Sequence, residues 1–252
     1  MRCLWLSRSL PFPQDSGDRI YSAQLARSLA QAGAEVDFVG HRASGPGAEP
    51  PPDWPVRWHA IDGGCRTKWR ALASLQPLNG AIHDTPAYRA RLAEMLTWRW
   101  DAIVVDTYAM GWALSQVRRA AQQRARPPTL VHISHNHEAA LWRGMVREFR
   151  GPPLRKLALW QNALKVDRIE RRLASEADLM SCITPEDARV FAPERSAPTI
   201  VLTPGFSGVE AMPRTITAAT PRRVVLMGSF RWVVKQENLK ALVQCADAAS
   251  RP

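Results

Sequence analysis

Residues 1–40 read MRCLWLSRSLPFPQDSGDRIYSAQLARSLAQAGAEVDFVG, and their order decides the fold. Arg2 to Leu6 is a short apolar run and predicts a β-strand. In Asp18 to Ala32 the residues Ile20, Leu25, Leu29 and Ala32 recur near helical spacing, which predicts a helix. Gly33 supplies the left-handed stop that ends many helices. Val36 to Val39 predicts a second strand. Strand, crossover helix and strand in this order form a unit whose two strands run parallel.

The pattern continues outward. Residues 40–55 are a Gly- and Pro-rich loop, and Pro50-Pro51-Pro52 forbids regular structure there. Val56 to Ile61 alternates like a third strand. Thr85 to Trp98 is helical, and Ala102 to Val105 is a β-branched run ending in Asp106. Gly111 to Arg124 is helical and closes at Pro127-Pro128. Thr129 to Ile133 is the next strand. Residues 137–149 and 154–177 are helices broken at Gly151-Pro152-Pro153. Leu179 to Ile183 and Ile200 to Leu202 are strands. Thr184-Pro185-Glu186-Asp187 opens a helix with a capping hydroxyl, a proline at the first position and acids in the first turn. Strands alternating with helices predict an α/β fold with a parallel, doubly wound sheet. Residues 1–204 are expected to form one domain and residues 205–221, rich in Gly, Thr and Pro, a linker. Residues 222–252 are expected to hold one strand, Val224 to Met227, and one helix, Gln236 to Ala249, the start of a second domain.

The chain of 252 residues is 46% hydrophobic, which is ordinary for a globular protein. Its formal net charge of +11 favours anionic partners: nucleotide phosphates, nucleic acid or an anionic membrane. No helix-turn-helix, RNP or zinc-finger pattern supports nucleic acid, so none is expected as a partner. The apolar start stops at Ser7-Arg8, short of a signal-peptide core, and no apolar run reaches transmembrane length. A cytoplasmic protein is expected. The four cysteines are widely spaced, with no CxxC pair, so neither a disulfide framework nor a cysteine zinc site is indicated.

In an open α/β sheet, ligands bind beyond the carboxyl ends of the strands. Three such ends stand out. After the first strand, Gly17 lets backbone approach a ligand, and Arg19 suits a phosphate or carboxylate. Asp18 sets negative charge where a phosphate would sit, so this is equally read as a capped loop. Asp106 is either a ligand-facing acid or a cap for the next segment. The stretch His132 to Glu138 holds three of the six histidines. It is read as a metal site, as a polar substrate-binding turn with His135, His137 and Glu138, or as a solvated loop. Its spacing is not that of a known metal motif, and no metal is expected. A basic, tryptophan-rich stretch, Trp142 to Lys165, is a candidate for an anionic membrane surface.

Four stretches resemble the amino-terminal half of GT-B glycosyltransferases of family 4. They are Pro13-Gln14-Asp15-Ser16-Gly17-Asp18-Arg19-Ile20 with the helix after it; Ser134-His135-Asn136-His137-Glu138; Glu170 with Ala177-Asp178-Leu179 and Thr184-Pro185-Glu186-Asp187; and Met227-Gly228-Ser229-Phe230-Arg231-Trp232 with Asn238-Leu239. They follow the family's order along almost the whole chain. The resemblance implies a Rossmann-like acceptor domain and the first strand-helix unit of an incomplete nucleotide-sugar domain. It implies sugar transfer from a nucleotide sugar to a lipid-linked or saccharide acceptor, with the family's retaining habit and with no metal or other cofactor. It places His135 at the reacting centre as the catalytic residue. Gly17, Asp18 and Arg19 fall at the cleft floor, with Asp106, His137 and Glu138 as further substrate contacts. Gly228, Ser229 and Arg231 fall in a donor-side loop. Gly-Asp-Arg in place of Gly-Gly resembles the branch that builds exopolysaccharide and cell-envelope sugars. The first strand-helix unit alone would leave this chain inactive. The rival readings are a non-catalytic Rossmann-like acceptor module at a membrane surface and a related nucleotide-sugar epimerase.

Overall fold

A computed structural model describes residues 1–67, 74–205, 215–221, 226 and 233–249. All of the expected strand Val224 to Met227 except Leu226, most of the expected linker, and the loop carrying Gly228, Ser229 and Arg231 lie outside the described residues. Contacts divide the chain into two units. The larger comprises Met1–Gln14 and Asp18–Pro204; the smaller comprises Asp15–Gly17 and Gly205–Pro252.

Seven strands build the sheet of the larger unit. They are β1 (Arg2–Ser9), β2 (Glu35–His41), β3 (Val56–Ile61), β4 (Ala102–Asp106), β5 (Thr129–Ser134), β6 (Leu179–Cys182) and β7 (Thr199–Val201). Their order is β3-β2-β1-β4-β5-β6-β7, and every pairing is parallel. The order reverses between β1 and β4, which opens a crevice at their carboxyl ends. Eight α-helices are described: α1 (Gly17–Gln31), α2 (Leu78–His83), α3 (Pro86–Met95), α4 (Leu114–Gln122), α5 (Glu138–Glu148), α6 (Pro153–Glu176), α7 (Pro185–Phe191) and α8 (Val233–Ala249).

Both faces of the sheet are buried, so its strands carry apolar residues at consecutive positions. Leu4, Leu6, Ile103, Val105 and Leu130 pack on one face with Val117 of α4 and Val166, Ile169 and Leu173 of α6. Cys3, Trp5, Val36, Phe38, Val104 and Ile133 pack on the other with Tyr21 and Ala26 of α1. The rings of Trp5 and Phe38 stack at 5.7 Å. Burial of this size is the main stabilising term, at roughly 25 cal/mol per Å² of apolar surface.

Three expectations shift. The core face of α1 is Tyr21, Ser22, Ala23 and Ala26, while Ile20 points outward. The helix expected from Gly111 begins earlier, as a 3₁₀ turn over Tyr108–Ala113. A Cβ on Gly111 would stand 2.2 Å from Ile169 Cγ1. This close approach to α6 leaves room only for glycine. The short helix α2 has no counterpart in the sequence reading, since Leu78–His83 holds too few residues to show a period. The caps follow the expected chemistry: Thr85 accepts from Tyr88 N–H, and Thr184 from Asp187 N–H.

Candidate active site

The crevice between the ends of β1, β4 and β5 is lined by Ser7, Arg8, Asp18, Arg19, Thr107 and His135, among others. At its base, β4 ends on Asp106, which is fully buried. Asp106 Oδ1 lies 2.8 Å from His135 Nε2, and Oδ2 accepts from the Trp5 indole N–H at 3.1 Å. Burial pushes the Asp106 carboxyl up. The charge of His135 and hydrogen bonds from His135, Ser22 and Trp5 outweigh burial and hold it below the usual carboxylate range. An ionised Asp106 accepts only, so Nε2 of His135 carries the proton. Nδ1 is then the ring nitrogen that Asp106 leaves for another partner. It is buried and has no partner among the described residues. A ring nitrogen in such a place suits a substrate hydroxyl. The Tyr21 ring meets the imidazole edge-on at 5.3 Å and fixes its tilt.

Thr107 follows Asp106 with φ of 67°, which a β-branched residue rarely adopts. Two bonds hold it there. Its N–H donates to Ile133 O at 3.0 Å, and its hydroxyl accepts from Ala109 N–H at 3.3 Å. The cap role considered for Asp106 belongs to Thr107. Strained backbone of this kind collects at functional sites.

Arg8, two residues beyond the apolar stretch of β1, pairs with Asp18 at the start of α1. Arg19 Nη1 donates to Pro13 O at 3.2 Å. Gly17 is the first residue of α1, with open space where a Cβ would stand. Glu138 opens α5, and its Oε1 accepts from Asn136 at 3.3 Å. Burial pushes the Glu138 carboxyl above its usual range. His137 lies against the Phe191 ring at 5.4 Å, away from the lining residues, and burial lowers its pKa. His132 is a core residue: its Nδ1–H donates to Val105 O at 2.9 Å, and burial lowers its pKa to about 4.

The crevice therefore gathers Asp18, Arg19 and His135, with Asp106 directly beneath His135. Asp106 has no exposed surface and both oxygens engaged, so it reaches a ligand only through His135. Sequence reasoning missed Arg8, Ser22 and Thr107. A basic residue just past a buried strand was a usable signal for Arg8; the backbone angle of Thr107 left none. Behind the site, Glu170 of α6 is buried and accepts from the N–H groups of Glu138 at 2.9 Å and Ala139 at 2.7 Å. It closes the amino end of α5. Burial raises its pKa to about 8, against the pull of those two donors. A larger groove, lined by Arg118, Arg119, Arg124 and Arg172, is far from any strand's carboxyl end. Arg118 there faces Glu176 and Asp178, and Asp178 itself bonds Leu130 at the start of β5. Among the described residues no group of three His, Cys, Asp or Glu is placed to hold a metal ion.

Residues 16–204 match the model of the glycosyl transferase 4-like domain. Among solved structures, sucrose-phosphate synthase from Thermosynechococcus elongatus aligns with a TM-score of 0.53 at 18% identity, over 82% of this chain and 48% of that one. The chain thus spans about half the length of that relative, and the likeness is one of fold. The alpha,alpha-trehalose 6-phosphate synthase from Burkholderia multivorans aligns at a TM-score of 0.37 and 15% identity, over 76% of this chain and 42% of that one. No curated protein matches. The family match covers the whole sheet from α1 onward, and the chain belongs to the glycosyl transferase 4-like domain family.

Proposed function

We propose that the protein moves a sugar from a nucleotide sugar to a saccharide or lipid-linked acceptor, in cell-envelope or exopolysaccharide synthesis. Residues 1–204 act as the acceptor domain, residues 205–221 as a linker and residues 222–252 as the first part of the nucleotide-sugar domain. The carrying observation is the buried Asp106–His135 pair at the switch point of the sheet, in a chain of this family. The expected absence of metal remains part of the proposal.

The chemistry follows from the pair. Asp106 fixes the tautomer and tilt of His135. Nδ1 then accepts from a sugar hydroxyl and orients it at the reacting centre. Arg8 and Arg19 supply positive charge near the phosphates as charge builds on the departing nucleotide. Gly17 leaves room at the cleft floor, and Glu138 and Asp18 are placed to accept from acceptor hydroxyls. Gly228, Ser229 and Arg231 belong to the donor side.

The test is His135→Gln in the full-length native protein. Glutamine still offers an N–H to Asp106 but removes the ring nitrogen. Turnover is predicted to fall by about 10²–10⁴-fold, the usual worth of a positioned proton-handling group. The unfolding temperature stays within a few degrees. Wild-type turnover in this variant removes His135 from the mechanism.

A further inference from the structure

Helix α6 carries two apolar faces. One is the core face: Ala163, Val166, Ile169 and Leu173 are all buried. The other points outward: Leu154, Leu157, Trp160 and Leu164 are 81%, 57%, 51% and 51% exposed. Each outward residue precedes a core residue by nine positions. At 3.6 residues per turn, nine positions are about two and a half turns, so the two sets lie on opposite sides. Exposed large apolar residues in a continuous stripe mark an interaction surface.

The stripe begins ahead of the buried stretch of the helix. The first buried residue of α6 is Asn162, and residues 153–161 before it extend about 13 Å. All of them are exposed except Ala158 and Leu159, which are half-buried. Glu170 is level with the start of α5, through its bonds to Glu138 and Ala139. The hairpin of α5 and α6 therefore rises from the carboxyl edge of the sheet, beside His135.

Its charge is one-sided. From Ala139 to Val166 the chain has Arg143, Arg147, Arg150, Arg155, Lys156 and Lys165 against one acid, Glu148. Arg143 pairs with Asp167 at 3.1 Å, and Lys165 donates to Ser74 O at 2.5 Å. Arg147, Arg150, Arg155 and Lys156 are exposed and form no ion pair among the described residues.

We propose that this hairpin end docks on an anionic lipid bilayer, with Leu154, Leu157, Trp160 and Leu164 entering the interface and the arginines and Lys156 facing lipid phosphates. The apolar stripe has no role on a nucleic-acid backbone, and the basic fringe has none in an apolar protein groove. A bilayer surface uses both: apolar side chains at the acyl boundary, tryptophan at headgroup level and cations against anionic headgroups. The inference rests on the acceptor reading above for its consequence, which is that a lipid-linked acceptor arrives at the His135 crevice from the membrane.

The test is cosedimentation of the full chain with phosphatidylcholine vesicles containing 30% phosphatidylserine, alongside Leu157→Ser/Trp160→Ser/Leu164→Ser. These side chains leave the core untouched, and thermal unfolding of the variant checks this. Wild type is expected to bind anionic vesicles at least about tenfold more tightly than pure phosphatidylcholine vesicles, and to release at 0.5 M salt. The triple variant is expected to bind about tenfold or more weakly. Absence of binding at low salt overturns the proposal, as does equal binding by the variant. A wild-type dimer that the variant dissolves, without vesicle binding, assigns the stripe to a second copy and also overturns it. None of these outcomes touches the sugar-transfer reading, which is judged by turnover of His135→Gln.

Discussion

Asp106 and His135 lie 29 positions apart in sequence and meet only because β4 and β5 are neighbours. Each was legible as an acid or a histidine at a strand end, but their pairing was not. It depends on sheet order and on Trp5, a core residue that gives its N–H to the same carboxylate. The pair divides the labour: His135 faces the crevice and Asp106 holds it. Asp106→Asn tests that division. Asparagine cannot accept from both His135 and Trp5 with two carboxylate oxygens, and it no longer fixes the ring's tautomer. We predict a fall in turnover of about 10–100-fold, as for other residues that orient a functional histidine. Leaving one buried donor unpaired is expected to cost about 1–3 kcal/mol in denaturant unfolding. Equal turnover in Asp106→Asn and wild type would separate the aspartate from the function.

At the scale of elements, the repeat of short apolar runs and helices placed all seven strands within a few residues. The reason is physical: a strand buried on both faces needs consecutive apolar residues, as Ala102–Asp106 shows, and this survives in one sequence. What failed was local packing. Ile20 keeps helical spacing with the core yet points outward, because α1 packs through its small residues Ala23 and Ala26. Gly40 illustrates the same limit. A Cβ there would stand 2.4 Å from Ser9 C and 2.5 Å from Leu10 N, where the β1–β2 register shifts. Backbone cannot swing aside as a side chain can, so Gly40→Ala is predicted to destabilise by about 2–3 kcal/mol in urea titration. Glu170 gives a pH signature. Its folded pKa of about 8 lies above the ordinary value of 4.5, so the folded state keeps the proton longer. The associated stability is present below about pH 4.5 and is lost as pH rises through about 8. Glu170→Gln is predicted to flatten this fall. A wild-type slope unchanged in the variant would mean that Glu170 does not carry it.

The whole molecule has a polarity that its composition only hinted at. The net charge of +11 could not say where the cations lie. The fold places Arg147, Arg150, Arg155 and Lys156, exposed and without an ion pair among the described residues, on the hairpin, and pairs Arg57, Arg89 and Arg172 with acids elsewhere. No described helix is long and apolar enough to span a membrane. Among the described residues, the apolar clusters of the sheet draw on positions before 192. A chain ending at Pro204 is therefore predicted to fold cooperatively, with an unfolding temperature within a few degrees of the whole chain by calorimetry. A broad, non-cooperative transition would show that later residues complete the core.

The central claim is sugar transfer centred on the Asp106–His135 pair. Its most direct test is transfer from a panel of labelled nucleotide sugars to saccharide and lipid-linked acceptors by the full-length native protein, beside His135→Gln of matched stability. The account predicts a glycosylated product with at least one donor, formed about 10²-fold or more slowly by the variant. Undiminished transfer by His135→Gln, or no product from any donor, would contradict it.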